Sequence, residues 1–531
     1  MQIIIPMAGT GERFMDFGYK VVKPLIEIAG KPMIEHVVEL FPGESNFTFI
    51  CNSVHLKETD MRAVIKRICP QGKIVEIPPH KKGPVYSVFC MMDSVDDDDE
   101  VIVNYCDFSK TWDYADFLET VRTNGASGAI CAYRGFHPHM LGSTNYAFIR
   151  DENRWMMEIQ EKKPFTSNRM DEFASDGTYY FKNGKLLKQY FKALIAQDIN
   201  VKGEYYVSMV YNLLKASAHS IYIYEIKHML QWGTPEDLLE FTRWLNYFGN
   251  LQCPCAAIEP VGESINLIPL AGKGIRFVNE GYRDPKPLID IEGTPMVIAA
   301  AMSLPPAEKY IFVCLAGHLS NFPLAETIEK YYPGAKVVSV DKVTEGQACT
   351  CEIGLSGEPL QLPLLVGACD NGMLWDSEKY KKLIDDPTVD AIVWSFRHHP
   401  SSKRNPHMYS WIVADNDGNV LEVSEKRAIS NDPFNDHAVV GTFYFRKAAY
   451  FLDSLVSLYK GNKRVNNEFY VDSCINELLA KGLKVKVFEV SDYICWGTPD
   501  DLKTFLYWYD FFVKTGFHSV KHALIPSCSR K

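Results

Sequence analysis

The chain repeats itself. Ile4-Ile5-Pro6-Met7-Ala8-Gly9-Thr10-Gly11-Glu12-Arg13-Phe14 returns as Leu267-Ile268-Pro269-Leu270-Ala271-Gly272-Lys273-Gly274-Ile275-Arg276-Phe277. The offset, 272 minus 9, is 263 residues. It holds for Gly18-Tyr19 against Gly281-Tyr282, Lys23-Pro24-Leu25 against Lys286-Pro287-Leu288, Pro32-Met33 against Pro295-Met296, and Cys106-Asp107 against Cys369-Asp370. One residue is gained before Glu161-Lys162, which matches Glu425-Lys426. The new register then carries Gly177-Thr178 onto Gly441-Thr442, Glu204 onto Glu468 and Trp232-Gly233-Thr234-Pro235 onto Trp496-Gly497-Thr498-Pro499. A register that slips once along so much chain implies two copies of one large domain. They are placed at 1–250 and 262–515, with turn residues through Cys253-Pro254 and Pro260 between them and a tail at 516–531.

Each copy starts with a short apolar run, Ile3-Ile4-Ile5 or Leu267-Ile268, directly before a glycine-rich loop. Such runs read as strands buried on both faces of a parallel sheet. Phe47–Ile50 and Tyr310–Val313, then Val101–Val103 and Leu364–Val366, read as further strands, and Pro32–Leu40 as a helix. Alternating strands and helices predict a Rossmann-like α/β domain with a mostly parallel, mixed sheet, present twice. Ligands of such sheets sit beyond the carboxyl ends of the strands. Gly9, Gly11, Asp107, Gly272, Gly274 and Asp370 all fall there.

Composition narrows the function. With 531 residues, 47% hydrophobic and 23% charged, the chain is globular and large enough to need no disulfide or metal staple. A net charge of −10 argues against general nucleic-acid binding, which runs on phosphate neutralisation. The 14 cysteines include no paired Cys-x-x-Cys elements, so zinc spacing is absent and reduced thiols of a cytoplasmic protein are expected. Met1–Pro6 is no signal peptide, and no apolar run approaches the roughly 20 residues of a membrane span, so direct membrane insertion is not expected. The acidic run Asp96–Glu100 reads as a solvated loop.

The chemistry concentrates in Gly9-Thr10-Gly11-Glu12-Arg13 and its copy. Glycines let the backbone approach a ligand closely, and N–H groups after a strand cradle anions. Arg13 and Lys23, like Arg276 and Lys286, add fixed cations for phosphate oxygens. Phe14 and Phe277 stand where a dinucleotide fingerprint needs its third glycine, and no Gly-Lys-Ser/Thr follows, so neither that fingerprint nor a Walker loop fits.

The compound pattern, Gly-x-Gly-x-Arg-Phe followed by Lys-Pro-Leu and seen twice, resembles the sugar-phosphate nucleotidylyltransferases, whose domain is GT-A-like. The resemblance covers nearly all of both halves. It implies transfer of a nucleotidyl group from an NTP to a sugar phosphate, with release of pyrophosphate. Gly9, Gly11, Gly272 and Gly274 would hold the nucleotide's phosphates, with Arg13, Lys23, Arg276 and Lys286 as catalytic cations. Asp107 and Asp370 would bind Mg2+. Lys162 and Lys426 would meet the acceptor phosphate, and Glu161 and Glu425 the sugar hydroxyls, with Gly177 and Gly441 lining the sugar pocket. The base loop would comprise Gly83 in Lys82-Gly83-Pro84-Val85, and Gly346 with Gln347 in Gly346-Gln347-Ala348. The resemblance also implies a cytoplasmic homo-oligomer serving capsule or another surface polysaccharide, working beside other assembly proteins. Trp232-Gly233-Thr234-Pro235 and its copy open amphipathic helices whose aromatics, Phe241, Trp244, Phe248, Phe505, Trp508 and Phe512, read as core or subunit interface.

Three residues depart from the pattern. Gln231 and Cys495 stand where many members carry a second metal aspartate, and neither is a good hard-cation ligand. Pro84 replaces the base-reading glutamine of the second half and offers no N–H, so either the halves read different nucleotides or only one turns over. This slightly favours the second half for nucleotide binding, while the first half, with Glu161-Lys162-Lys163-Pro164 intact, stays a candidate. These departures also support a different class: a fold that has lost turnover and serves as an oligomeric scaffold or a nucleotide or sugar sensor. A metal-dependent glycosyltransferase would need Asp-x-Asp, and the acidic run Asp96–Asp99 meets that pattern only trivially.

Overall fold

The computed structural model describes residues 1–250 and 262–517; the expected linker through Cys253 and Pro260, and the expected tail past Phe517, lie outside the described residues. The chain divides between Asn246 and Tyr247 into two compact units.

In the first unit the strand Gln2–Met7 lies at the heart of a nine-stranded sheet. It pairs in parallel with Phe47–Asn52 on one side and Val101–Asn104 on the other, with Ile3 against Phe47 and Ile102. Ile3, Ile4 and Ile5 are at most 1% exposed, because helices cover both faces of the sheet there. Lys73–Ile77 extends the parallel half. The sheet then reverses. Phe173–Phe181 runs antiparallel between Val101–Asn104 and Gly128–Tyr133, and the outer strands Ala147–Glu152 and Trp155–Glu161 form an antiparallel pair. The sheet is thus mixed, with its parallel half under the glycine loop rather than throughout. Short strands Phe108–Thr111 and His228–Gln231 form a separate ribbon beside Asp107.

The second unit repeats these pairings. Ile265–Leu270 lies between Lys309–Leu315 and Leu364–Val366 in parallel. His437–Phe445 runs antiparallel between Leu364–Val366 and Ala391–Phe396, and Asn371–Leu374 pairs with Asp492–Cys495. The helix expected at Pro32–Leu40 spans Met33–Glu39, with Pro32 as its N-cap residue in the extended conformation proline favours.

The aromatics of the two Trp-Gly-Thr-Pro helices are core: Phe241, Trp244, Phe248, Phe505, Trp508 and Phe512 are each at most 5% exposed within the chain. The acidic run is only partly a solvated loop. Gly184 N donates to Asp99 O and Lys185 N to Asp97 O, so the run docks on the start of helix Gly184–Ala196. Glu100 accepts from Arg122 Nε at 3.0 Å and from Tyr180 Oη at 2.6 Å.

Candidate functional site

Past the carboxyl end of Gln2–Met7 the chain turns through Gly11, whose φ of 70° lies in the left-handed region, and enters the short helix Glu12–Asp16. A Cβ on Gly11 would sit 3.7 Å from Lys23 Cβ, an ordinary contact, so the left-handed backbone is what calls for glycine there. Lys23 then reaches inward. Its Nζ donates to Asp107 Oδ2 at 2.7 Å and to Gly233 O at 3.0 Å. The second unit reproduces this: Gly274 has φ 62°, Lys286 Nζ pairs with Asp370 Oδ2, and it donates to Gly497 O at 3.2 Å. Burial works against the Lys286 ammonium, yet the Asp370 carboxylate beside it leaves its pKa raised.

In the first unit these groups share one cleft of about 460 Å³. Gly9, Gly11, Arg13, Lys23, Gly83, Asp107, Glu161, Lys162 and Gly177 all line it, so every expected site residue of that half converges. Glu161 is half-buried in the cleft wall, and desolvation lifts its pKa to about 7 although Ser208 Oγ donates to Oε2 at 2.6 Å. Lys162 takes φ 59°, and Lys426 takes φ 56°. Non-glycine residues in the left-handed region are strained, and such strain gathers at functional sites. Lys162 Nζ donates to Tyr206 Oη, which in turn donates to Glu204.

Gly83 and Gly346 have a structural reason for being glycine. A Cβ on Gly83, at φ 82°, would lie 2.7 Å from Tyr205 N and O. On Gly346 it would lie 2.5 Å from Phe469 N. The close approach lets Val85 N donate to Tyr205 O, and Ala348 N to Phe469 O, each at 3.1 Å. Gln347 is the half-buried first residue of helix Gln347–Gly354.

The remaining second-unit residues are placed as follows. Gly272 belongs to the loop before helix Ile275–Asn279, which carries Arg276. Glu425 Oε1 accepts from Asn476 Nδ2 at 3.2 Å, Lys426 Nζ donates to Met408 O at 2.6 Å, and a Cβ on Gly441 would lie 3.5 Å from Ala368 Cβ. A cavity of the second unit, between Glu345, Cys349, Tyr459 and Arg464, is lined by none of the expected site residues.

Gln231 lines the first unit's cleft beside Asp107: a Cβ on Gly233 would lie 2.9 Å from Gln231 Nε2 and 3.3 Å from Asp107 Oδ2. Cys495 Sγ donates to Asp501 Oδ2 at 3.3 Å instead of offering a carboxylate. Half-buried Asp237, with Thr234 Oγ1 donating to it at 2.7 Å, has its pKa pushed up to about 7 by desolvation. Among the described residues no three His, Cys, Asp or Glu side chains gather to hold a metal. Asp107 is the expected metal residue on the wall of this cleft; a carboxylate oxygen suits a hard cation, and its Oδ2 here accepts from Lys23 Nζ.

Sequence reasoning missed Tyr105, Tyr146, Ser175 and Tyr206, all of which line the cleft. Tyr206 had a signal, since Glu204-Tyr205-Tyr206 returns as Glu468-Phe469-Tyr470. Of the others, Tyr105 follows Val101–Asn104, Tyr146 precedes Ala147–Glu152 and Ser175 lies on Phe173–Phe181.

Residues 3–166 match the model of the MobA-like NTP transferase domain. The match covers the glycine loop, Lys23, Asp107 and Glu161-Lys162. Among curated proteins, the bifunctional protein GlmU of Shouchella clausii is 27% identical over 236 residues, covering 42% of this chain and 46% of that protein. The bifunctional protein GlmU of Geobacter sulfurreducens is 23% identical over 231 residues, covering 43% and 45%. The chain spans about half the length of the curated relatives it matches. Among solved structures, a nucleoside-diphosphate-sugar pyrophosphorylase from Vibrio cholerae aligns at TM-score 0.38 and 21% identity, over 46% of this chain and 100% of that one. Among the described residues, no helix is long and apolar enough to cross a membrane.

Proposed function

We infer that the first unit is a nucleotidylyltransferase, moving a nucleotidyl group from an NTP to a sugar phosphate or related phosphate and releasing pyrophosphate. One observation carries the reading. The Gly9–Arg13 loop, the Lys23–Asp107 pair and the Glu161-Lys162 element open on a single cleft. Backbone N–H groups of the loop and the Arg13 guanidinium grip the polyphosphate, and Lys23 offsets charge as pyrophosphate departs. Asp107 would hold a Mg2+ that arrives with the triphosphate, supplying charge neutralisation at the reacting phosphoryl oxygens. Lys162 orients the acceptor phosphate for in-line attack, and Glu161 accepts from the acceptor's hydroxyls. Little covalent work is left for the protein.

The repeated pairings and the shared Lys–Asp ion pair support a tandem duplication, with the second unit binding nucleotide through Gly346-Gln347. A cytoplasmic homo-oligomer serving capsule or other surface polysaccharide completes the reading. The observation favouring the second reading, a scaffold or sensor, is that Gln231 and Cys495 replace a metal carboxylate in both units. Pyrophosphate release from a panel of NTPs and sugar phosphates with Mg2+ separates the two. Release with at least one pair supports the transferase, and nucleotide binding without any release supports the sensor.

A further inference from the structure

Lys110 and Asp176 form an ion pair with no exposed side-chain surface. Lys110 Nζ lies 2.8 Å from Asp176 Oδ2 and donates to Thr178 Oγ1 at 2.6 Å. Thr178 Oγ1 donates to Asn104 Oδ1 at 2.6 Å, and Thr178 N donates to Asp176 Oδ1 at 2.7 Å. The ammonium also sits 3.7 Å from the centre of the Trp112 ring. A pair so buried is weak evidence for stability, because desolvation offsets the attraction.

Its location points to another role. Lys110 lies on Phe108–Thr111, the strand that begins immediately after Asp107. Asp176 lies in the bulge of Phe173–Phe181, where the register shifts between Ser175 and Tyr179, and Ser175, Asp176 and Gly177 line the cleft.

The second unit is an internal comparison. Lys110 pairs with Met229 as Met373 pairs with Tyr493, and Tyr179 pairs with Val103 as Phe443 pairs with Val366. These registers put Met373 and Val440 where Lys110 and Asp176 stand, and Gly367 where Asn104 stands. The bulge persists there, between Val393 and Ser395, with Gly441 at φ 94° against 106° for Gly177. The bulge therefore does not need the ion pair. Thr442, the counterpart of Thr178, keeps a buried hydroxyl with no hydrogen-bond partner.

We propose that Lys110 and Asp176 are positioning residues: they tie the strand following Asp107 to the bulge carrying Ser175 and Gly177, and so fix the acceptor side of the first unit's cleft. Naming that side the acceptor's rests on the transferase reading. The second unit lacks the tie.

The test is the double variant Lys110→Met with Asp176→Val in the full chain, which copies Met373 and Val440. Hydrogen exchange is followed over residues 173–181, with 437–445 as reference in the same molecule. At least about tenfold faster exchange is expected in the first segment only; equal exchange overturns the positional claim whatever the activity. Kinetics are read with the NTP and hexose 1-phosphate pair the parent uses best. The acceptor KM should rise at least about tenfold, with the NTP KM and kcat within about twofold. An unchanged acceptor KM, or a rise confined to the NTP, overturns the assignment to the acceptor side. If the double variant does not fold, Asp176→Asn, which keeps shape and removes charge, is read in the same two ways. A parent without turnover on any pair sinks the transferase reading, and the exchange experiment still decides the tie.

Discussion

Lys23 Nζ stands 2.7 Å from Asp107 Oδ2, and the two residues are 84 positions apart in the chain. The pair spans the space between the glycine loop and the central strand's end, where a polyphosphate and its cation would meet. On the proposed reading an anion entering there would compete for Lys23 and a cation for Asp107, so ligand binding would exchange one set of charge contacts for another. This arrangement recurs in Lys286 and Asp370, 84 positions apart as well.

Asp107→Asn removes the charge and keeps the shape. Pyrophosphate release should fall by about 10²–10³-fold, in line with loss of one electrostatic stabiliser. The melting temperature in the absence of ligand should change little, since the partly exposed ion pair contributes weakly. Undiminished turnover would remove Asp107 from the mechanism.

Arg13→Ala and Arg276→Ala ask which unit works. Each should weaken NTP binding to its own unit by about tenfold or more, the worth of a lost charge-assisted contact. Isothermal titration of the two variants against the parent separates the sites. If Arg276→Ala leaves nucleotide binding and turnover as they were, the second unit does not use its loop as assigned.

Gly83→Ala should cost roughly 3 kcal/mol, because φ is 82° and the new Cβ meets the Tyr205 backbone at 2.7 Å. Gly9→Ala is the control: its Cβ would meet nothing within 4 Å. Chemical denaturation should show a large loss for the first variant and a small one for the second. Equal losses would contradict the close approach.

His137 is buried against the Tyr133 ring, near His139 and His228, and desolvation lowers its pKa to about 4. An unfolded histidine titrates near 6.5, so folding favours the neutral form. That contribution, on the order of 3 kcal/mol, is present above pH 6.5 and is lost as pH falls from 6.5 through 4. Melting temperatures of His137→Asn and parent should converge across that window. Parallel curves would show that His137 does not titrate on unfolding.

Glu161 works in the opposite sense. Burial raises its carboxyl to about 7, so its stabilising contribution is full below the unfolded value near 4.3 and is lost as pH rises through 7. Glu161→Gln should therefore gain stability at pH 8, by about 2 kcal/mol, and gain none at pH 4. The same substitution should impair acceptor use, an exchange of function for stability. No gain at pH 8 would place the charge in a better solvated setting.

The two glycine loops, the Lys23 and Lys286 elements, Asp107 and Asp370 were legible because their residue types answer to local requirements. Gly11 and Gly274 are needed for a left-handed backbone, Ile3-Ile4-Ile5 for a strand covered on both faces, and each leaves a mark on consecutive residues. The repeat supplied the second half of every such inference. Other features left no local mark. Lys110 reads as any strand lysine until Asp176 is brought beside it from 66 positions away. Tyr146 and Ser175 join the cleft from the antiparallel part of the sheet, and Tyr105 from the turn after Val101–Asn104. The sequence by itself determined the repeated pattern of strand and glycine turn, since these rest on backbone preference and periodicity. Only the tertiary structure decided which charges are buried together and which expected residues share one cleft, because burial and electrostatic partnership depend on chain segments that meet in space alone.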